Sequence, residues 1–212
     1  MIRTTALAIL LATSLSAFAN PEAAAKADPA KGKPIAEAVC VACHGADGNS
    51  PASANPNLAG QIPEYIAKQL SNFKPGADGK APLRNNPIMM GMAATVSEED
   101  AKNLGAYFAQ QKLKPQVAKD EKLVAQGQKL WRGGDIQKGI PACAGCHGAA
   151  GAGLPAQFPR LAGQYADYTE AQLKLFRTGE RANDPEKMMR TIAGKMSDQE
   201  IKAVAEYAAG LR

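Results

Sequence analysis

Four cysteines and two histidines are all that this 212-residue chain holds, and together they make two copies of one pattern. Cys40-Val41-Ala42-Cys43-His44 and Cys143-Ala144-Gly145-Cys146-His147 each read C-x-x-C-H, the attachment sequence for c-type haem. Two thiols one helical turn apart can reach the two vinyl groups of a single porphyrin, and the adjoining histidine then lies under the iron. A pair of C-x-x-C disulfides, or a thioredoxin-like site, leaves the histidine after each second cysteine unexplained. A Cys-Cys-His zinc site lacks a fourth ligand in each half, because no cysteine or histidine remains. The expectation is two covalently bound haem c groups. Cys40 and Cys43 would hold one and Cys143 and Cys146 the other, with His44 and His147 on the irons.

The chain is also a duplication. With the two motifs aligned, Pro56, Leu58, Ala59, Gly60 and Gln61 match Pro159, Leu161, Ala162, Gly163 and Gln164. Tyr65, Gln69, Leu70, Phe73 and Gly76 match Tyr168, Gln172, Leu173, Phe176 and Gly179. Beyond that glycine the second copy has a shorter loop. In the new register Met89, Ala93, Ser97, Lys102 and Tyr107 match Met189, Ala193, Ser197, Lys202 and Tyr207.

That register selects among the methionines. Only Met89 and Met189 are methionine in both copies, whereas Met90 faces Arg190, Met92 faces Ile192, Met188 faces Ile88 and Met196 faces Val96. A methionine is usually core filler. The paired register and the lack of spare histidines nevertheless make Met89 and Met189 the expected sixth ligands, with Met92 the rival in the first half.

Helical segments are predicted at Pro34 to Cys43, Pro63 to Phe73, Glu98 to Gln111, Lys122 to Trp131, Tyr165 to Arg177 and Asp198 to Leu211. Ser97 with Asp100 and Ser197 with Glu200 are capping signatures for the last helix of each half. The faces Ala101, Leu104, Phe108 and Ile201, Val204, Ala208, Leu211 read as core rather than as a partner-binding stripe. Between the helices, Gly45 to Gly60 and Gly148 to Gly163 are rich in glycine, proline and asparagine, with no alternating strand pattern. A buried porphyrin would supply the apolar surface around which such loops pack. Lys114 to Asp120 reads as the linker.

At the start of the chain, Arg3, the apolar run from Ala6 to Leu15 and the triplet Ala17-Phe18-Ala19 have the layout of a secretory signal cleaved after Ala19. The alternative, an uncleaved anchor, would need a longer apolar run, since a bilayer span takes about 20 residues. The expected division is therefore 1–19 signal peptide, 20–115 first domain and 116–212 second domain. The formal charge of +5 says little about partners, because haem propionates would add acids that the count omits. Bases are scattered among acids and aromatics make up 5% of the chain, which gives a nucleic-acid surface no support.

With its paired C-x-x-C-H motifs, repeated P-x-L-A-G-Q segment and two later methionines, the chain closely resembles the dihaem cytochrome c4 family. The resemblance covers nearly all of Asn20 to Arg212. It implies an all-α fold of two tandem class I cytochrome c domains, each wrapped around a covalently bound haem and related by pseudo-twofold symmetry. It assigns Cys40, Cys43, His44 and Met89 to one haem and Cys143, Cys146, His147 and Met189 to the other. It also implies a proline carbonyl bonded to each ligand histidine, with Pro56 and Pro159 the matching candidates. The alternative is that these prolines merely shape turns.

The implied role is that of a monomeric periplasmic electron carrier, in a family often associated with the membrane. Single electrons would pass from a quinol-oxidising cytochrome bc complex toward terminal oxidases. A neutral thioether opposite histidine favours ferrous iron, and a filled sixth position discourages small ligands. The other class, a dihaem enzyme such as a peroxidase or a thiosulfate dehydrogenase, generally needs an exchangeable iron site or a nearby catalytic group. Here no third histidine exists to serve as acid or base.

Overall fold

The computed structural model describes residues 26–76, 78–114 and 116–212. The expected signal segment, Met1 to Ala19, lies outside the described residues, as does Pro115 of the linker.

The first half contains α1 (Pro29–Ile35), a π-helical turn (Ala36–Cys40), α2 (Val41–His44), α3 (Pro63–Asn72), α4 (Pro87–Ala94) and α5 (Glu98–Ala109). The second contains α6 (Glu121–Gly133), α7 (Ala144–His147), α8 (Ala166–Thr178), a 3-10 turn (Pro185–Lys187), α9 (Met188–Ala193) and α10 (Asp198–Gly210). Among the described residues there is no β-strand, and isolated bridges join Arg84 to Arg181, Asp135 to Ile140 and Leu154 to Phe158.

Most boundaries follow from local chemistry. Ser97 caps α5 and Ser197 caps α10 in full capping boxes with Asp100 and Glu200. The Asp120 side chain accepts from the Lys122 and Leu123 N–H groups and so starts α6 at Glu121. The first helix departs from expectation. It begins at Pro29 rather than Pro34, because Asp28 caps it through the Ala30 N–H and Pro29 takes the first helical position. Pro34 lies inside it, and its missing N–H is followed directly by the wider π-helical turn. Both methionine segments, which lie outside the predicted helices, are short helices. Asn86 caps α4 by accepting the Met89 N–H at 3.0 Å.

Each half closes on a crossing of its first and last long helices. Gly32 of α1 meets the α5 backbone at Asn103, and Gly127 of α6 meets the α10 backbone at Ala203. A methyl group at either glycine would overlap a main-chain carbonyl of the partner helix. Around these crossings lie two cores. One joins Ala36, Ile66, Val96, Ala101, Leu104 and Phe108; the other joins Leu130, Trp131, Ile140, Met196, Ile201, Val204, Tyr207 and Ala208. The helix faces expected to be core are core, with Leu211 packed at the edge of the second.

The seam between the halves is built from the repeated segment. Gln164 accepts from the Asn57 N–H at 2.9 Å and donates to the Asn57 carbonyl at 3.0 Å. Gln61 accepts from the Arg160 N–H at 2.9 Å and donates to its carbonyl at 3.0 Å. Two equivalent glutamines making reciprocal bonds across one seam are what a pseudo-twofold relation requires.

Candidate haem sites

Each C-x-x-C-H motif forms a short helix ending in its histidine, after which a glycine at positive φ, Gly45 or Gly148, turns the chain away. The loop that follows returns a proline carbonyl to the imidazole. His44 Nδ1–H donates to Pro56 O at 2.9 Å, and His147 Nδ1–H donates to Pro159 O at 3.0 Å. Both bonds expected of these prolines are present. With Nδ1 so engaged, the tautomer is set and Nε2 is left as the free lone pair.

Burial lowers the pKa of both imidazoles, against the opposing pull of the proline carbonyls, and so favours the neutral, metal-binding form. All four cysteines are free thiols. Burial pushes the Cys40 and Cys143 thiols up to about 11, which keeps them protonated. Among the described residues no cluster of three histidine, cysteine or carboxylate side chains could hold a metal by itself.

One cavity of about 790 Å³ spans both halves. It is lined by Cys40, Cys43, His44, Met89 and Met92 from the first and by Cys143, Cys146, His147, Met188, Met189 and Met196 from the second. Its walls are mainly apolar, with Leu58, Leu70, Phe73 and Phe108 on one side and Leu161, Leu173, Phe176 and Val204 on the other. The methionines differ in setting. Met89 and Met189 stand half-buried in the first turns of α4 and α9. Met92 is 45% exposed, and Met196 is 4% exposed within the second core.

The family profile for cytochrome c matches residues 29–112 and again 124–211. Cytochrome c4 of Thiocapsa roseopersicina is 48% identical over 186 residues, which cover 87% of this chain and 93% of that protein. The chain belongs to the cytochrome c4 family. The crystal structure of reduced recombinant cytochrome c4 from Pseudomonas stutzeri superposes with a TM-score of 0.81 at 44% identity, covering 88% of this chain and all of that one. A thiosulfate dehydrogenase electron acceptor of Thiomonas intermedia is 42% identical over 179 residues, 83% of this chain and 80% of that protein.

As a cytochrome c4, the protein consists of two tandem cytochrome c domains that carry covalently attached haem c, and it transfers electrons rather than converting a substrate. The cavity fits that cofactor. In each half it offers two thiols, a neutral imidazole with Nε2 free, thioethers and apolar walls.

Several residues around the cavity escaped the sequence reading. Trp131 and Phe158 lie against His147 at ring-centroid distances of 6.4 and 6.2 Å, while among the described residues no aromatic ring is paired with His44. One turn beyond its crossing glycine, α6 carries Trp131 where the first half carries Ala36. Arg84 and Arg181 also line the cavity, but the two loop registers do not align them, so the repeat did not reveal them as a pair.

Proposed function

We propose that this protein relays single electrons in the periplasm from a quinol-oxidising cytochrome bc complex to terminal oxidases. Cys40 and Cys43 would attach the first haem between His44 and Met89, and Cys143 and Cys146 the second between His147 and Met189. The observation that carries the reading is the pairing of each motif histidine with a proline carbonyl inside a cavity that also holds a methionine from the matching repeat position. Residues 20–115 and 116–212 are the proposed domains. Export would rest on the signal-like segment ending at Ala19. Among the described residues no helix is long and apolar enough to cross a membrane.

When bound, haem iron supplies reversible one-electron exchange between its ferric and ferrous states. The protein's share is to hold that iron in one environment. Pro56 and Pro159 fix the imidazole planes and raise their basicity. Met89 of α4 and Met189 of α9 would supply neutral sulfur to the iron, which would favour the ferrous state and close the site to small ligands. Packed apolar walls keep the geometry unchanged as charge arrives, so little reorganisation opposes transfer.

The test is a spectrum of the mature protein in both oxidation states. Two haems per chain are expected, with the weak far-red absorption of methionine sulfur on ferric haem. Met89→Ala should remove about half of that band, since one of two sites is lost, and Met92→Ala should leave it intact. Ready carbon monoxide binding by the unaltered protein would overturn the relay reading.

The likeness to a thiosulfate dehydrogenase electron acceptor favours a second donor, a thiosulfate-oxidising dehydrogenase. Rapid-mixing kinetics of haem reduction by each donor would separate the two: the physiological one reduces the protein at a rate that falls with added salt, as electrostatically steered encounters do.

A further inference from the structure

One side-chain contact recurs in both halves at matching repeat positions. Lys74, just past α3, donates from Nζ to the Val96 carbonyl, and Arg177, in the last turn of α8, donates from Nη1 to the Met196 carbonyl at 3.3 Å. Lys74 and Arg177 share one register of the repeat, and Val96 and Met196 share the other. The donors and acceptors differ in type between the halves, yet the contact is the same.

Val96 and Met196 end the turns that follow α4 and α9. Their N–H groups donate back to Ala93 and Ala193 at 3.1 Å each, and the serine that caps the last helix comes next. Both residues are buried, so their carbonyls need a partner. Among the described residues neither carbonyl accepts a main-chain hydrogen bond, and the cation supplies the missing one. Each methionine helix is thereby tied at its far end to the long helix before it.

The two ties are unequal. Arg177 also pairs with Asp198 at 2.6 Å, whereas Glu98, which matches Asp198 in the repeat, is not paired with Lys74 among the described residues. The near ends differ as well. Asp184, with its carboxylate buried, accepts from the Arg190 N–H at 2.9 Å and from Nε at 2.7 Å, and this ion pair fastens the first turn of α9. In α4 the same turn hangs on one neutral bond, from the Met89 N–H to Asn86, and Met90 stands where α9 has Arg190. Met92 of α4 is exposed, while Ile192, its counterpart, packs against the second core. Charge therefore pins α9 at both ends and α4 at one.

A neutral thioether suits ferrous iron better than ferric, so in the oxidised protein the sulfur stays in place largely because its helix does. A competing ligand binds only while that helix stands away, and its apparent affinity follows the population of the open state. We propose that Lys74 and Arg177 are positioning residues, each clamping the helix that carries its domain's methionine, and that the lighter clamp makes Met89 the sulfur that yields first to a nitrogen-donor ligand. This rests on Met89 and Met189 being the sixth ligands. In the exchange one coordinate bond from sulfur to iron breaks and one from nitrogen to iron forms; the thioether leaves neutral and the iron keeps its oxidation state. The first domain is the exchangeable centre and the second the inert one.

The test is imidazole titration of the oxidised full protein, followed by the far-red methionine band. The band should be lost in two steps. Met189→Ala, whose remaining band reports Met89, should reproduce the low-concentration step, and Met89→Ala the high-concentration one. Lys74→Ala should lower the first midpoint about tenfold, the size expected for losing one charge-assisted hydrogen bond, and leave the second in place. Arg177→Ala should lower the second midpoint instead, and Lys74→Arg should hold the first at or above that of the parent. A merely structural role would lower thermal stability without moving one midpoint alone; that outcome overturns the proposal, as does exchange at the second haem before the first. If the alanine variants fail to accumulate, Asp198→Asn removes only the exposed partner of Arg177 and should lower the second midpoint by a smaller factor; no change there overturns the proposal as well. Failure of the ligand assignment is distinguishable, because Met89→Ala or Met189→Ala would then keep the full band before any imidazole is added.

Discussion

Gln164 reaches out of its own domain and closes a two-bond ring with the backbone of Asn57, accepting its N–H at 2.9 Å and donating to its carbonyl at 3.0 Å. Gln61 does the same to Arg160. A side-chain amide can answer a main-chain donor and acceptor together, its nitrogen donating and its oxygen accepting.

Gln164→Ala should therefore strand both Asn57 groups in the buried seam and cost about 1–3 kcal/mol. Thermal unfolding followed by circular dichroism checks this. In the Gln61→Ala/Gln164→Ala double variant the single transition should split in two as the domains uncouple. A double variant as stable as the parent would show that the seam is held elsewhere.

Trp131 gives the core of the second domain a large ring where the first has only Ala36. It is 1% exposed, packs on Tyr207 at 6.0 Å and His147 at 6.4 Å between ring centres, and donates to the Ala149 carbonyl at 3.2 Å. Trp131→Ala should cost about 3–5 kcal/mol. Admitting water beside His147 should also lower the reduction potential of the C-terminal haem alone. Calorimetry and a redox titration check the two parts separately.

The helix crossings predict steric intolerance. Gly127→Ala puts a methyl into the Ala203 carbonyl, and Gly32→Ala does so at Asn103. Overpacking of this kind costs about 1–3 kcal/mol, and more where backbone must move. Denaturant titration should show a lower midpoint for each, while Gly91→Ala, with open space around its α-carbon, should stay near the parent.

Ligand removal should be selective by domain. Met189→Ala should let carbon monoxide bind one ferrous haem per chain, and Met89→Ala should do so at the other, with Met89→Ala/Met189→Ala binding two. Gas titration of the reduced protein reads the stoichiometry. A single variant that binds two would mean the halves do not act as separate sites.

Much of this arrangement was legible beforehand because haem attachment is local. A C-x-x-C-H motif needs only one helical turn, so Cys40 to His44 and Cys143 to His147 could be read from spacing alone, and Ser97 and Ser197 announced their helices by the same local logic. What spacing does not encode is contact between distant segments. Gln61 and Gln164 were visible as repeat partners, but nothing local says that each crosses to the other half. Arg84 and Arg181 follow loops of unequal length, so they fall out of both registers even though their backbones meet. The start of α1 was a missed local signal. Asp28-Pro29 is an N-cap followed by a proline at the first helical position, a start signal five residues ahead of Pro34.

The segment joining the domains is not a free tether. The N–H groups of Lys119 and Asp120 both donate to Glu206 Oε1 on α10, so the connection is clipped to its own lobe before α6 begins. Exchange of lobes between two chains, the usual low-cost route by which tandem repeats become swapped dimers, requires a hinge that can swing out. Here the last two residues of the connection stay fastened to their own lobe, so any swinging hinge is confined to the shorter stretch before Lys119.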